Sequence, residues 1–284
     1  MKNISNYIIT AAVALTVLAC TETNQVIKAS QKPVVEAYLA PGQPVSLQLS
    51  TVLAYSTTQA DSVSYPIDGQ SVRIKVSDGR IFNLKNTGNG EYVSAANEKI
   101  QRGLSYTLDF TYNGLPITST TIIPAAPQNF KIDRTDIALT QIILGNGGPG
   151  FGGPGGFQQD DNTPLVLTWD NPTGEYYFVV QQSAETNPEQ VIVNNNANAQ
   201  NRPARRINNQ PTNSNVANIQ PRSFSYFGNY NIILFRLNPD YAALYRSGGT
   251  TTQNLSTPPT AITNGLGIFT GVSPDTIRVT VQKK

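Results

Sequence analysis

The chain has 284 residues, with 20 lysines and arginines against 18 aspartates and glutamates, a single cysteine and no histidine. A formal net charge of +2 provides no basic footprint for nucleic acid, so that class of partner is excluded. The lack of histidine excludes Ser-His-Asp and Cys-His catalysis and typical zinc sites, and a lone cysteine excludes an internal disulfide. No cofactor is expected, and the length is enough for two ordinary domains.

The start of the chain is typical of an exported protein. A lysine precedes an apolar run over residues 8–19, which is shorter than the roughly 20 residues that span a bilayer. A signal peptide is therefore predicted over residues 1–19. The Val-Leu-Ala-Cys stretch at 17–20 resembles the lipobox of bacterial lipoproteins, which implies acylation of Cys20 and a lipid-anchored tether over residues 20–31. The alternative is a plain signal peptide followed by an incidental cysteine.

Residues 32–124 are predicted to form an antiparallel β-sandwich of immunoglobulin-like kind. Apolar and polar residues alternate with period two, for example over residues 45–50, as in half-buried strands. Turn signals such as Asp-Gly at 78–79 and Asn-Gly at 113–114 separate the runs. About seven short strands with a turn between each pair are typical of such sandwiches.

Residues 125–284 are predicted to form a second sandwich. An alternating strand ends at Trp169, a turn follows and an aromatic strand returns, which resembles the second and third strands of fibronectin type III domains. A short helix over residues 241–246 is predicted, with Asn238 as its N-cap. The predicted fold is all-β: two immunoglobulin-like or fibronectin-III-like sandwiches in tandem, with one short helix in the second.

The rest of the second half predicts strands and two loops. Residues 130–144 favour one long strand, and residues 265–269 and 276–281 favour two shorter ones. The Gly/Pro-rich residues 145–163 and the Asn-rich residues 194–221 are expected to be flexible loops, since neither composition can bury much apolar surface. The Gly/Pro tract lacks the Lys-Ser/Thr and the following helix that a phosphate-binding loop requires.

Aromatic residues are dense in one part of the second half, and flat rings can stack on sugars. Strand alternation and the helical spacing of four explain Tyr230, Tyr241 and Tyr245 as core residues. Tyr226 and Phe227 adjoin the Asn-rich loop and are predicted to contact a ligand or partner.

Enzymatic chemistry would require a pair of carboxylates, as in glycoside hydrolysis. Asp160, Asp161 and Asp170 come nearest, but a solvated loop end explains them, and their spacing is unlike an EF-hand. The sequence therefore predicts neither an enzyme nor a metal site.

Two short motifs point to modification. Asp61-Ser62-Val63 and Asp275-Thr276-Ile277 resemble the Asp-Ser/Thr-aliphatic motif that Bacteroidetes O-glycosylate on exported proteins. Ser62 and Thr276 are accordingly predicted as glycosylation sites.

Several segments occur in the order that is typical of one protein family: residues 33–39, 69–79, 88–92, 102–108 and 262–271. The chain resembles outer-membrane lipoproteins of Bacteroidetes that share a domain of unknown function, DUF4249. This resemblance implies an envelope lipoprotein of the kind that is often associated with TonB-dependent barrels in nutrient uptake. It implies no catalytic residues.

The functional expectation combines the anchor with the loops. We expect an outer-membrane protein that is lipid-anchored, displayed at the surface rather than toward the periplasm, and non-enzymatic. It is expected to be a binding or accessory module beside a TonB-dependent transporter, with contacts from residues 145–163 and 194–228. The alternative is a scaffold or adhesion lipoprotein without a small-molecule ligand.

Overall fold

A computed structural model describes residues 32–51, 65–144, 162–194, 210–247 and 260–284. The predicted signal peptide, Cys20, the tether, Ser62 and the central parts of both predicted loops lie outside these residues. The described chain consists of β-strands and one α-helix, so the all-β class is confirmed.

Alternation of apolar and polar residues gives most of the strands. The described residues form β1 (Pro33–Leu39), β2 (Ser46–Thr51), β3 (Val72–Val76), β4 (Ile81–Gly88), β5 (Glu91–Val93), β6 (Ser105–Tyr112), β7 (Leu115–Ile122), β8 (Gln128–Ile132), β9 (Asp136–Leu139), β10 (Ile142–Leu144), β11 (Leu165–Asp170), β12 (Tyr176–Ser183), β13 (Ile192–Asn194), β14 (Val216–Ile219), β15 (Gly228–Leu237) and β16 (Leu266–Lys283), with helix α1 (Pro239–Ser247) and a 3₁₀ turn (Pro221–Ser223).

The strands form one large sheet and two small ones. The large sheet has the order β12-β15-β16-β1-β2-β5-β4-β3-β6-β7, and β9 also pairs with β16. The sheet β14-β11-β8 has three strands, and β10 pairs in parallel with β13. β1 and β9 both run parallel to β16, whereas β15 and β16 are antiparallel.

The first hydrophobic core is formed mainly by inward-facing residues of β1 to β7. Val35, Leu49 and Tyr106 are fully buried in it. The Tyr106 hydroxyl accepts a hydrogen bond from the backbone N–H of Gln101 at 2.8 Å, so the buried phenol is satisfied by the chain five residues upstream.

The second core lies in the other half of the chain and contains Trp169. Its indole ring packs against Tyr177 with 5.4 Å between ring centroids. The Tyr230 hydroxyl accepts a hydrogen bond from the backbone N–H of Tyr226 at 2.9 Å and donates to that residue's carbonyl oxygen at 3.2 Å. Both cores thus contain a tyrosine whose hydroxyl binds backbone a few residues upstream.

β16 belongs to both cores. Phe269 near its start packs in the first core together with Ile262, while Val279 and Val281 near its end pack in the second. The predicted boundary had assigned all of residues 125–284 to the second domain. A hydrogen bond also joins the two halves of the chain: the Thr121 hydroxyl accepts from the backbone N–H of Gly271 at 2.9 Å.

Two strand predictions are wrong. Residues 130–144 form parts of three strands, because the chain leaves β11 after β8 and then pairs with β16 through β9. The two predicted C-terminal strands are one strand of 18 residues. Pro274 lies between the segment of β16 that pairs with β1 and the segment that pairs with β9. The N–H that proline lacks therefore removes no hydrogen bond to either of these two strands.

One local prediction also differs from the structure: residues 216–219, expected in a loop, form β14, because Ile219 reaches the second core. Asn238 directly precedes α1, as predicted for its N-cap, and its carbonyl oxygen accepts a hydrogen bond from the backbone N–H of Ala242. Its side-chain amide nitrogen also donates to the Thr121 hydroxyl and to the Ile122 carbonyl oxygen, both at 2.9 Å. Its side chain therefore links the two halves of the chain.

Candidate functional site

The candidate site lies beside α1, where the helix packs on the large sheet. α1 follows directly on β15, and Ala242 is buried against the protein. The Asp240 carboxylate accepts a hydrogen bond from the Thr270 hydroxyl of β16 at 2.9 Å. Strand pairing and this contact therefore fix the helix on the sheet.

A row of three tyrosines runs from the helix onto β1; we call Tyr38, Tyr241 and Tyr245 the tyrosine row. Tyr241 and Tyr245 lie one turn apart on the same face of α1, with ring centroids 5.5 Å apart and their hydroxyls 3.2 Å apart. Tyr38 meets Tyr241 edge-on at 5.6 Å, and Phe178 of β12 packs behind Tyr245 at 6.0 Å. Each ring thus has an aromatic neighbour that holds it in place.

Tyr38, at one end of the tyrosine row, lines a cavity of about 470 Å³ that is open to solvent. It is lined by Glu36, Ala37, Tyr38, Ser46, Leu47, Gln48 and Glu91. Glu36 is the register partner of Gln48, which is in turn the partner of Glu91. We call these three side chains the acceptor row; two strand spacings place its two glutamate backbones roughly 10 Å apart.

The polar groups of the acceptor row are partly committed. The Gln48 amide nitrogen donates to the Asn89 carbonyl oxygen, and a Glu91 carboxylate oxygen accepts from the Thr87 hydroxyl at 2.8 Å. Within the described part of the chain neither Glu36 nor Glu91 forms an ion pair. The cavity therefore offers carboxylate oxygens to donors that a ligand would supply.

The environment favours neutral phenols at Tyr38 and Tyr241. Burial, with the adjacent Glu36 carboxylate, raises the pKa of Tyr38 to about 12. Burial also raises the pKa of Tyr241, and the hydrogen bond with Tyr245 adds to this shift. Near neutral pH Tyr38 and Tyr241 are therefore uncharged, with an apolar face and a polar hydroxyl.

The arrangement is suited to holding a ligand by ring contact and hydrogen bonds. Among the described residues, no group of three or more acidic, histidine or cysteine side chains is placed to hold a metal ion. No helix in the described segments is both long and apolar enough to cross a membrane.

The two predicted contact residues, Tyr226 and Phe227, differ in how deeply they are buried. Phe227 is 7% exposed in the second core, with the Lys283 ammonium 5.9 Å from its ring centroid. Tyr226 is partly buried against that core. The ring of Phe227 is thus part of the packing, and the contact of Tyr226 and Phe227 with a ligand or partner stays a prediction.

The remaining predicted residues do not meet at this site. Thr276 is exposed on β16, where its backbone N–H donates to Asp275, so its glycosylation stays a prediction. Asp170 accepts from the Asn129 side chain. Asp160, Asp161, Ser62 and Cys20 lie outside the described residues.

Sequence reasoning missed Tyr38 and interpreted Tyr241 and Tyr245 as core residues. Tyr38 is 45% exposed and Tyr245 is 38% exposed. The signal for Tyr38 was its position in β1, since it occupies an outward-facing place in the alternation of Val35, Ala37 and Leu39.

Comparison with known proteins identifies the family. The family described as Domain of unknown function (DUF4249) matches residues 21–278. The chain belongs to this family. The predicted resemblance to DUF4249 proteins is thereby confirmed, and it covers both cores and the candidate site.

Other comparisons add little to the DUF4249 assignment. A search of curated proteins found no match. Among solved structures, the chain is similar to protocadherin gamma B2 extracellular cadherin domains 3–6, at 10% sequence identity over 88% of this chain. The match spans 49% of that chain, about half its length, and the TM-score of 0.18 carries no argument.

Proposed function

We propose that this DUF4249 protein is a lipid-anchored binding or accessory module of the bacterial outer membrane, displayed at the surface beside a TonB-dependent transporter. It takes part in nutrient uptake and catalyses no reaction. The observation that carries the proposal is the open cavity bordered by the tyrosine row, which presents ring surface and hydrogen-bond acceptors on a sheet. The lipobox-like stretch ending at Cys20 supports the anchor.

We propose further that the fold consists of two immunoglobulin-like or fibronectin-III-like sandwiches. Tyr106 and Tyr230 support this, because a buried tyrosine whose hydroxyl binds backbone upstream resembles the tyrosine corner of such domains. The parallel pairing of β1 and β9 with β16 also supports the proposal, since each half then closes on the same strand.

A scaffold or adhesion lipoprotein of the envelope is the second candidate. It is favoured by Ile143 and Ile192, which are 62% and 51% exposed on the paired strands β10 and β13. Exposed apolar side chains on adjacent strands suit a protein partner better than a small molecule. Residues 145–163 and 194–221 begin at the ends of these strands.

The test is affinity purification of the tagged protein from detergent-solubilised outer membranes, followed by mass spectrometry of its partners. The proposal predicts a TonB-dependent barrel in stoichiometric amount. A Cys20→Ser variant, which lacks the proposed anchor, is the control and should lose the barrel. Recovery of the lipoprotein alone would overturn the transporter proposal and favour the scaffold.

A further inference from the structure

We infer that the cavity and the tyrosine row together bind a carbohydrate. The inference rests on the proposed binding function and adds the chemical class of its ligand. It draws on three features of the described residues: exposed ring surface, a line of hydrogen-bond acceptors and an open cavity of suitable size.

The first feature is preorganised ring surface. Tyr38 is 45% exposed and Tyr245 is 38% exposed, yet both rings are in edge or tilted contact with other aromatic rings. A ring that is already held loses little rotamer freedom when a ligand stacks on it. Tyrosine also combines an apolar body with a polar hydroxyl, which matches a sugar ring with its C–H face and hydroxyl rim.

The second feature is the excess of acceptors. Glu36 and Glu91 carry carboxylates, which only accept hydrogen bonds when ionised, and the Gln48 amide nitrogen is already bound to Asn89. Among the residues that the structure describes, no lysine or arginine lines the cavity. A ligand that binds these carboxylates must supply donors, and the hydroxyl groups of a carbohydrate do so without a charge while also accepting from the hydroxyls of Tyr38 and Ser46.

The third feature is the shape of the cavity. Its volume of about 470 Å³ lies within the usual 300–1,000 Å³ of small-ligand sites. Because it opens to solvent and Tyr38 on its edge contacts Tyr241, it can hold one segment of an oligosaccharide while the rest of that ligand extends outward along the tyrosine row.

An organic cation would also supply donors and contact aromatic rings. The experiment therefore compares the two classes. The full chain in detergent is screened against immobilised α-glucan, β-glucan, mannan and xylan oligosaccharides, and against choline and spermidine. The strongest binder is then titrated by calorimetry.

We expect an oligosaccharide to bind and Tyr38→Ala to weaken its affinity about tenfold or more, which corresponds to about 1.4 kcal/mol. Tyr38→Phe keeps the ring and should stay within about threefold of wild type. Tyr65→Ala is the matched control, because Tyr65 is 65% exposed and does not line the cavity. Thermal unfolding of each variant checks that it is folded.

Three results would overturn the inference: no oligosaccharide binds, binding is insensitive to Tyr38→Ala, or choline or spermidine binds instead with sensitivity to Tyr38→Ala. Co-purification of a TonB-dependent barrel with the wild-type protein separates the two proposals. If the barrel is recovered while the wild-type protein binds no oligosaccharide, the ligand assignment fails and the accessory function stands.

Discussion

At the scale of single residues, Gly267 shows why one position in the C-terminal segment 262–271 tolerates no side chain. Its φ is +94°, and a Cβ atom there would lie 2.0 Å from the carbonyl oxygen of Val35, its partner on β1. Any other residue would be strained and would separate the two strands.

The first prediction concerns that contact. Gly267→Ala is expected to lower the free energy of unfolding by roughly 3 kcal/mol, because backbone strain and a steric clash add. Gly42→Ala is the control, since Gly42 has a φ of +78° but no heavy atom within 4 Å of an added Cβ, and should cost about 1 kcal/mol. Urea unfolding followed by Trp169 fluorescence measures both, and equal losses would contradict the packing explanation.

The second prediction concerns pH and Tyr38. An unfolded tyrosine ionises near pH 10, whereas Tyr38 in the folded chain has a pKa of about 12. Between these values the unfolded state has lost the proton and the folded state keeps it, so stability falls as pH rises through this window.

Tyr38→Phe removes this contribution, and its stability is expected to fall less steeply than that of wild type between about pH 10 and pH 12. Urea unfolding at several pH values, with a tyrosinate absorbance titration, provides the measurement. At neutral pH Tyr38 is protonated in both the folded and the unfolded state. The pH dependence of stability should therefore be the same for wild type and Tyr38→Phe in that range. Identical alkaline slopes for both proteins would show that Tyr38 is not the group responsible.

At the scale of elements, local pattern predicts single strands well. The alternation over residues 72–76 gives β3 with its observed bounds, and Asn113-Gly114 forms the predicted turn with positive φ at both residues. These elements are set by neighbouring residues in the chain, so a single sequence contains the information.

The same pattern cannot show which strands meet. Residues 130–144 favour one long strand, yet the chain changes sheets within them. Residues 265–269 and 276–281 favour two separate strands, but β16 runs through Pro274 between them, where it pairs with β15. Pairing with strands that are distant in the chain determines where both of these segments form strands, and the local sequence pattern does not contain that information.

The candidate site was partly predictable for the same reason. Helical spacing places Tyr241 and Tyr245 on one face of α1, as expected. What covers that face depends on Tyr38, which contacts Tyr241 from β1 and lies about 200 residues earlier in the chain. The cavity joins residues of β1, β2 and β5, whose order in the sheet is a tertiary property.

The third prediction concerns β16 as the link between the cores. Ile74→Ala truncates a fully buried side chain of β3 in the first core and should cost about 2–5 kcal/mol. Because β16 is shared, we expect the urea midpoint reported by Trp169 in the second core to fall as well. Ile81→Ala, at a position that is 51% exposed, is the control and should leave the midpoint nearly unchanged.

An unchanged Trp169 transition in Ile74→Ala, together with a separate far-ultraviolet transition, would contradict this coupling. The two cores would then unfold independently in spite of the shared strand.

At the scale of the whole molecule, this DUF4249 protein is all-β, with two cores joined by one strand and a cavity lined by Tyr38 beside its helix. The proposed position in the cell rests on the segment ending at Cys20, which precedes the described residues. The anchor is therefore the claim on which the envelope function depends.

The most direct measurement is labelling of growing cells with radioactive palmitate, followed by purification of the protein and fractionation of the membranes. The account predicts label in the wild-type protein, which should be found with the outer membrane. Cys20→Ser should carry no label and leave that fraction, because the proposed acylated thiol is lost. A wild-type protein without label, or a Cys20→Ser variant that keeps it, would contradict the lipid anchor and the surface function built on it.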